Sequence, residues 1–195
     1  MIEVRPYILI GGRSSRFGRD KATFEFEGEI LAARAARIAE TAFEGTAAKF
    51  VSRTNGNFLD RAMIADVYPG RGAAGAIHAA LADASTGWIF VLACDLPLVT
   101  PEFIRALYKL IDDEHGCVVP VQPDGRWQPL CAFYQAEICL ETFENAAALT
   151  GKHPSLRAIA AAVRPSAVEF AAYSSLANSA ELLKNLNTFS DLADI

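Results

Sequence analysis

Short unbroken apolar runs alternate along the chain with longer stretches in which small and apolar residues recur at helical spacing. Residues 7–10, Tyr-Ile-Leu-Ile, form the first run; it stops at Gly11-Gly12 and reads as a buried strand. Leu31, Ala35, Ile38 and Ala42 then recur every three or four positions, which predicts a helix over 30–43. The same reading places strands at 49–53, 88–93, 117–121 and 130–134, and helices at 75–84, 101–111 and 136–148. Thr100 followed by Pro101 is a helix-entry signal, a hydroxyl to cap the first turn and a proline where no N–H is needed. The run Trp-Ile-Phe-Val-Leu-Ala at 88–93 does not alternate, as expected of a strand covered on both faces.

Strands separated by helices of this length predict an α/β fold, a three-layer, Rossmann-like, mostly parallel sheet with helices on both faces. No repeat, low-complexity tract or linker interrupts the pattern, so residues 1–195 read as a single domain. In open parallel sheets ligands gather at the carboxyl ends of the strands. The residues that follow the runs at 7–10 and 88–93 are therefore the first place to look for chemistry.

Composition acts mainly by exclusion. A chain of 195 residues, 52% hydrophobic and 21% charged, can bury one substantial core. A net charge of −5 without a basic stripe argues against a nucleic-acid partner. No run approaches the roughly 20 apolar residues that span a bilayer, and no signal-peptide core is visible, so a cytoplasmic protein without a membrane partner is expected. Cys94, Cys117, Cys131 and Cys139 form no Cys-x-x-Cys pair and are expected to be reduced core thiols rather than zinc ligands. His78, His115 and His153 have no recognisable partners in sequence and read as surface or helix-face residues; no serine–histidine or cysteine–histidine arrangement suggests covalent catalysis.

Two strand ends and one loop hold candidate chemistry. After the first strand comes Gly11-Gly12-Arg13-Ser14-Ser15-Arg16-Phe17-Gly18-Arg19-Asp20-Lys21. Paired glycines allow close approach of the backbone, whose N–H groups can form an anion-binding concavity, and Arg13, Arg16, Arg19 and Lys21 add positive charge. This suits a nucleotide triphosphate, although the segment is neither a P-loop nor a dinucleotide fingerprint. A solvated surface loop is the alternative. Asp95, in Cys94-Asp95-Leu96-Pro97, is placed either as a magnesium ligand or as the cap of the following turn. The small-residue loop from Asp66 to Gly75 either lets a base or sugar lie against the backbone or is a plain turn.

These residues resemble the molybdenum cofactor guanylyltransferase family, within the wider group of glycine-loop nucleotidyltransferases. The family's Leu-Ala-Gly-Gly-x-Ser-x-Arg-Met-Gly-x-Asp-Lys stands here as Leu9-Ile10-Gly11-Gly12-Arg13-Ser14-Ser15-Arg16-Phe17-Gly18-Arg19-Asp20-Lys21, and its Cys-Asp-Met-Pro-Phe as Cys94-Asp95-Leu96-Pro97-Leu98. Gln128-Pro129-Leu130, Ser155-Leu156-Arg157 and Asn185-Leu186-Asn187-Thr188 are similar to further family segments, in the same order.

The resemblance implies transfer of GMP from GTP to the terminal phosphate of molybdopterin, with release of pyrophosphate. It implies Mg2+ held by Asp95, with Arg16, Lys21 and Asp95 as catalytic residues. Leu9, Ile10, Gly11, Gly12, Ser14, Lys21, Thr54, Asp66 and Asp95 would bind the nucleotide, with Asp66 at the guanosine end. Gln128, Asn185 and Asn187 would lie on the pterin side. Cofactor-delivery proteins would be transient partners. Three departures, Ile10 for alanine, Arg71-Gly72-Ala73-Ala74-Gly75 for Gly-Pro-Leu-Ala-Gly, and Arg53-Thr54-Asn55 for Asn-Arg, all fall on the base side. Alternatives are a cytidylyltransferase or other nucleotidyltransferase of the same fold, a non-catalytic nucleotide-binding regulator, or a scaffold without a ligand.

Overall fold

The computed structural model describes residues 2–10, 21–68, 70–150 and 153–186. In chain order these contain β1 (Val4–Leu9), β2 (Glu25–Phe26), β3 (Glu29–Ile30), α1 (Leu31–Ala42), β4 (Lys49–Ser52), β5 (Gly56–Phe58), β6 (Arg61–Ala65), α2 (Gly72–Ala84), β7 (Trp88–Ala93), α3 (Pro101–Tyr108), β8 (Cys117–Pro120), β9 (Cys131–Gln135), α4 (Ala136–Ala148), α5 (Leu156–Ala161) and β10 (Pro165–Val168). Among them β2 and β3 form a small hairpin, and the other strands make one sheet in the order β10-β8-β9-β7-β1-β4-β6-β5. Only β9 and β5 run against their neighbours, so the sheet is mostly parallel, as the alternation of runs and helices predicts.

The central strand explains its own composition. Successive side chains of a strand point to opposite faces. Trp88, Phe90 and Leu92 enter the core beneath α1 and α3, whereas Ile89 and Val91 enter the core beneath α2, α4 and α5. Both faces of β7 are covered, and every residue of it is buried. On α1, Leu31, Ala35, Ile38 and Ala42 are all buried, and the alanines let the helix lie close to the sheet. The Thr100 hydroxyl accepts the Phe103 N–H at 3.3 Å, so the α3 entry is built as its sequence suggests. The helix ends at Tyr108 rather than 111, and α2 begins at Gly72, ahead of the expected 75.

The order of the strands positions the site. From β1 the chain crosses through α1 to β4 on one side; from β6 it crosses through α2, on the opposite face, to β7 on the other side. The gap between β1 and β7 is thus the topological switch point, where open α/β sheets bind ligands. The two strands pair in parallel from Val4↔Trp88 to Leu9↔Ala93, so their carboxyl ends emerge level. The ladder continues beyond the strands. Cys94 N–H donates to Leu9 O at 3.2 Å, Ile10 N–H to Val51 O at 3.1 Å and Asp66 N–H to Ser52 O at 2.8 Å.

The four cysteines are free and buried, and burial pushes the Cys117 thiol up to about 12. No helix among the described residues is long and apolar enough to cross a membrane.

Glu40 ties α1 to the far side of the sheet. Its carboxylate accepts Arg61 Nε and Nη2 at 2.6 and 2.7 Å and the Ala48 N–H at 3.1 Å. The Arg61 hydrogen bonds, then the Ala48 N–H, hold its pKa below 4.5 despite partial burial. A carboxyl depressed in the folded state stabilises above its unfolded value and loses that contribution as pH falls through the folded value. Glu40→Gln should therefore lower the unfolding free energy in urea by about 1–3 kcal/mol at pH 7. The gap from the native protein should narrow as pH is lowered below 4.5. A gap independent of pH would contradict this reading of the pair.

Candidate active site

Asp95 leaves the sheet immediately beyond the switch point and is held from several sides. Its backbone carbonyl accepts the Leu186 N–H at 2.8 Å, which brings the end of the described chain over the strand. Oδ2 accepts from Lys21 Nζ at 3.1 Å and Oδ1 from Asn185 Nδ2 at 3.2 Å. Asn185 Oδ1 in turn accepts Gln128 Nε2 at 3.1 Å. Gln128 is only 6% exposed, and its backbone N–H is fixed on Pro120 O at 2.9 Å. The carboxylate is therefore spent on Lys21 and Asn185, while the turn that follows is closed by Leu96 N–H on Ala93 O at 3.3 Å. Of the two readings of Asp95, magnesium ligand or turn cap, the hydrogen bonds to Lys21 and Asn185 show a carboxylate that faces other side chains rather than the backbone of its own turn.

The Lys21–Asp95 pair is shielded without being sealed, with side chains 21% and 20% exposed. The ammonium stands where the site holds positive charge beside a single carboxylate. Among the described residues no group of three or more histidine, cysteine or carboxylate side chains converges. That donor set fits magnesium, which takes one or two carboxylates and completes its shell with phosphate and water oxygens. It does not resemble a closed all-protein metal cage.

Asp66 follows β6 at the same carboxyl edge, three strand spacings from Asp95, about 14 Å across the sheet. Its Oδ1 accepts the Tyr68 N–H at 2.8 Å, an aspartate closing its own turn two residues on. Burial raises its pKa above the ordinary value, against the Tyr68 N–H and the nearby His78. The loop passes so close to α2 that a Cβ on Gly75 would stand 2.7 and 2.9 Å from the Asp66 carboxylate oxygens and 3.0 Å from the Tyr68 carbonyl. Gly75 is a position of close approach that the sequence marks only as one small residue among several.

The other expected site residues divide. Leu9 is buried in the core on the α2 side, so its side chain is committed to packing. Ile10 is half-buried and packs against the opposite, α1-side core. Thr54 is exposed, while the neighbouring Asn55 is occupied in accepting the Ala65 N–H at 2.8 Å. Gly11, Gly12, Ser14, Arg16 and Asn187 lie outside the described residues. The histidines lie where expected, on a helix or at the surface: His78 is on α2, where it is buried at 5% exposure, His115 hydrogen-bonds Asp112 at 2.9 Å, and His153 contacts Arg71.

Residues 7–168 match the family model described as the MobA-like NTP transferase domain. The chain is 31% identical to the molybdenum cofactor guanylyltransferase of Desulfosudis oleivorans, over 74% of this chain and 71% of that protein. It is 34% identical to the molybdenum cofactor guanylyltransferase of Pseudomonas putida, over 67% of this chain and 71% of that protein. Its fold is similar to that of molybdopterin-guanine dinucleotide biosynthesis protein A from Archaeoglobus fulgidus. The TM-score is 0.76 at 21% identity, covering 97% of this chain and 95% of that one.

Gly75 allows a test of the packing at the Asp66 end. Glycine to alanine within a helix ordinarily stabilises by about 0.5–1 kcal/mol. Here the added methyl must displace a carboxylate and a backbone carbonyl, so Gly75→Ala should instead destabilise by about 1–3 kcal/mol in urea unfolding. A variant more stable than the native protein would show that the loop does not lie on α2 as described.

Proposed function

The chain belongs to the MobA-like NTP transferase domain family, and we propose that its Lys21–Asp95–Asn185–Gln128 cluster is the reaction centre of a molybdenum cofactor guanylyltransferase. The enzyme transfers GMP from GTP to the terminal phosphate of molybdopterin, forming the guanine dinucleotide cofactor and releasing pyrophosphate. The relatives' activity and identity over most of the chain support this reading. The observation that carries it for this chain is Asp95 at the switch point between β1 and β7, joined to Lys21 on one oxygen and Asn185 on the other.

In this reaction a phosphate oxygen of the acceptor forms a bond to the α-phosphorus of GTP. The bond from that phosphorus to the oxygen bridging to the β-phosphate breaks, and its electron pair leaves with pyrophosphate. Both reactants are anionic, and the transfer needs no protein nucleophile; catalysis is positioning plus stabilisation of charge that builds on the leaving group. Lys21 supplies that stabilisation at the triphosphate, and by the family motif Arg16 would act with it while Gly11, Gly12 and Ser14 would bind the nucleotide. Asp95 would hold Mg2+, which when bound neutralises charge across the phosphates. Asp66 takes the nucleoside end, with Ile10 and Thr54 beside the base. Asn185 holds Asp95 and is itself held by Gln128, and these two, with Asn187, would take the pterin acceptor. The enzyme works in the cytosol, where cofactor-delivery proteins meet it transiently.

Two variants test the centre. With GTP, molybdopterin and Mg2+ supplied, Asp95→Ala should abolish pyrophosphate release while the circular dichroism spectrum is unchanged. Lys21→Ala should lower kcat by about 10²–10³, the cost of one lost electrostatic contact to a developing anion. Native-like pyrophosphate release by Asp95→Ala would remove Asp95 from the mechanism.

A further inference from the structure

Asp66 lies on a short strap that crosses α2, and the strap is seated on a histidine that the transfer reaction does not use. His78 stands three residues after Gly75, on the same face of the helix. It is 5% exposed, and the Tyr68 ring meets its imidazole edge-on, with centroids 5.0 Å apart and planes at 73°. Tyr68 is the residue whose N–H fixes Asp66 Oδ1. The strap is therefore held on α2 twice, by the close approach to Gly75 and by the ring contact to His78. A third contact, Tyr68 OH to Glu144 Oε1 of α4 at 3.4 Å, is long for a hydroxyl hydrogen bond and lies at the surface.

The imidazole is a seat rather than an ion-pair partner. Burial pushes its pKa down, against the opposing pull of Glu144 and Asp66. Its Nδ1 has no hydrogen-bond partner among the described residues. A buried orphan nitrogen costs stability, so the contribution of this residue at this place lies in its ring. The ring contact anchors Tyr68 on α2, and with it the backbone N–H that holds Asp66 Oδ1.

We propose that His78 is a positioning residue for nucleotide binding: its ring seats Tyr68, and Tyr68 aims the Asp66 carboxylate at the nucleoside. This rests on the assignment of Asp66 to the nucleoside end of the site. Removal of the seat leaves Lys21 and Asp95 untouched, so binding suffers and the chemical step does not.

Steady-state kinetics of the full chain, with GTP varied at saturating molybdopterin and Mg2+, test it. His78→Ala should raise KM for GTP about tenfold with kcat within about twofold. His78→Phe keeps a ring without the nitrogens and should return KM to within about twofold of native. Tyr68→Ala should match His78→Ala, and the double variant should be no worse than either, because the two act as one unit. An unchanged KM in His78→Ala or Tyr68→Ala, a loss confined to kcat, or a phenylalanine variant as impaired as the alanine one overturns the proposal. Should His78→Ala fail to fold, Tyr68→Ala and His78→Phe decide on the same criteria. Asp66→Asn separates the two levels. If it raises KM while the Tyr68 and His78 variants do not, only the seating is wrong; if it leaves KM unchanged, the assignment of Asp66 is wrong as well.

Discussion

The parallel pairing of β7 with β1 is the constraint on which the site depends. Residue-by-residue register from Val4↔Trp88 to Leu9↔Ala93 makes the two carboxyl ends emerge side by side. The chain leaves β1 through α1 on one face and reaches β7 through α2 on the other, so no crossover helix covers the gap between their ends. Lys21, coming from the end of β1, can then reach Asp95, coming from the end of β7. A register slip of one residue would turn every side chain of β7 to the wrong face and move Asp95 off the edge together. Six consecutive buried side chains, shared between two cores, specify the register strongly.

Electrostatics and packing divide the site into two ends. At Asp95 the groups are polar, partly exposed and linked by side-chain hydrogen bonds, an arrangement that can exchange one cation or anion for another. At Asp66 the carboxylate is fixed by a turn, a glycine and a ring contact, an arrangement that resists rearrangement. The division suits the roles proposed for the two ends: charge moves during phosphoryl transfer, whereas a nucleoside has only to be held still.

Much of this was legible in the sequence, and what was not has physical reasons. The unbroken run at 88–93 and the helical spacing of Leu31, Ala35, Ile38 and Ala42 state burial directly, because each pattern has a single stable placement. Asp95 was visible as a carboxylate at a strand end, but not its partners, since Asn185 and Gln128 reach it across the fold rather than along the chain. The outer strands β5 and β10, with β6 beside β5, escaped because they are short and half-exposed, so their residues show neither a run nor an alternation. Nothing in composition could tell that β9 runs antiparallel to β7, since burial on both faces looks alike in either direction. His78 sits in an alanine-rich helix at a spacing that fits either face, and only the packing of Tyr68 shows which. Family resemblance supplied the proposed roles of Asp66, Asn185 and Gln128 that residue chemistry alone left open.

The proposed preference of this site for GTP over other nucleotides is measured most directly by titration calorimetry. GTP, CTP, ATP and UTP should be titrated in turn into the full chain in the presence of Mg2+. Saturable binding strongest for GTP is the predicted result. Tighter binding of CTP, or binding of none of the four, would contradict it.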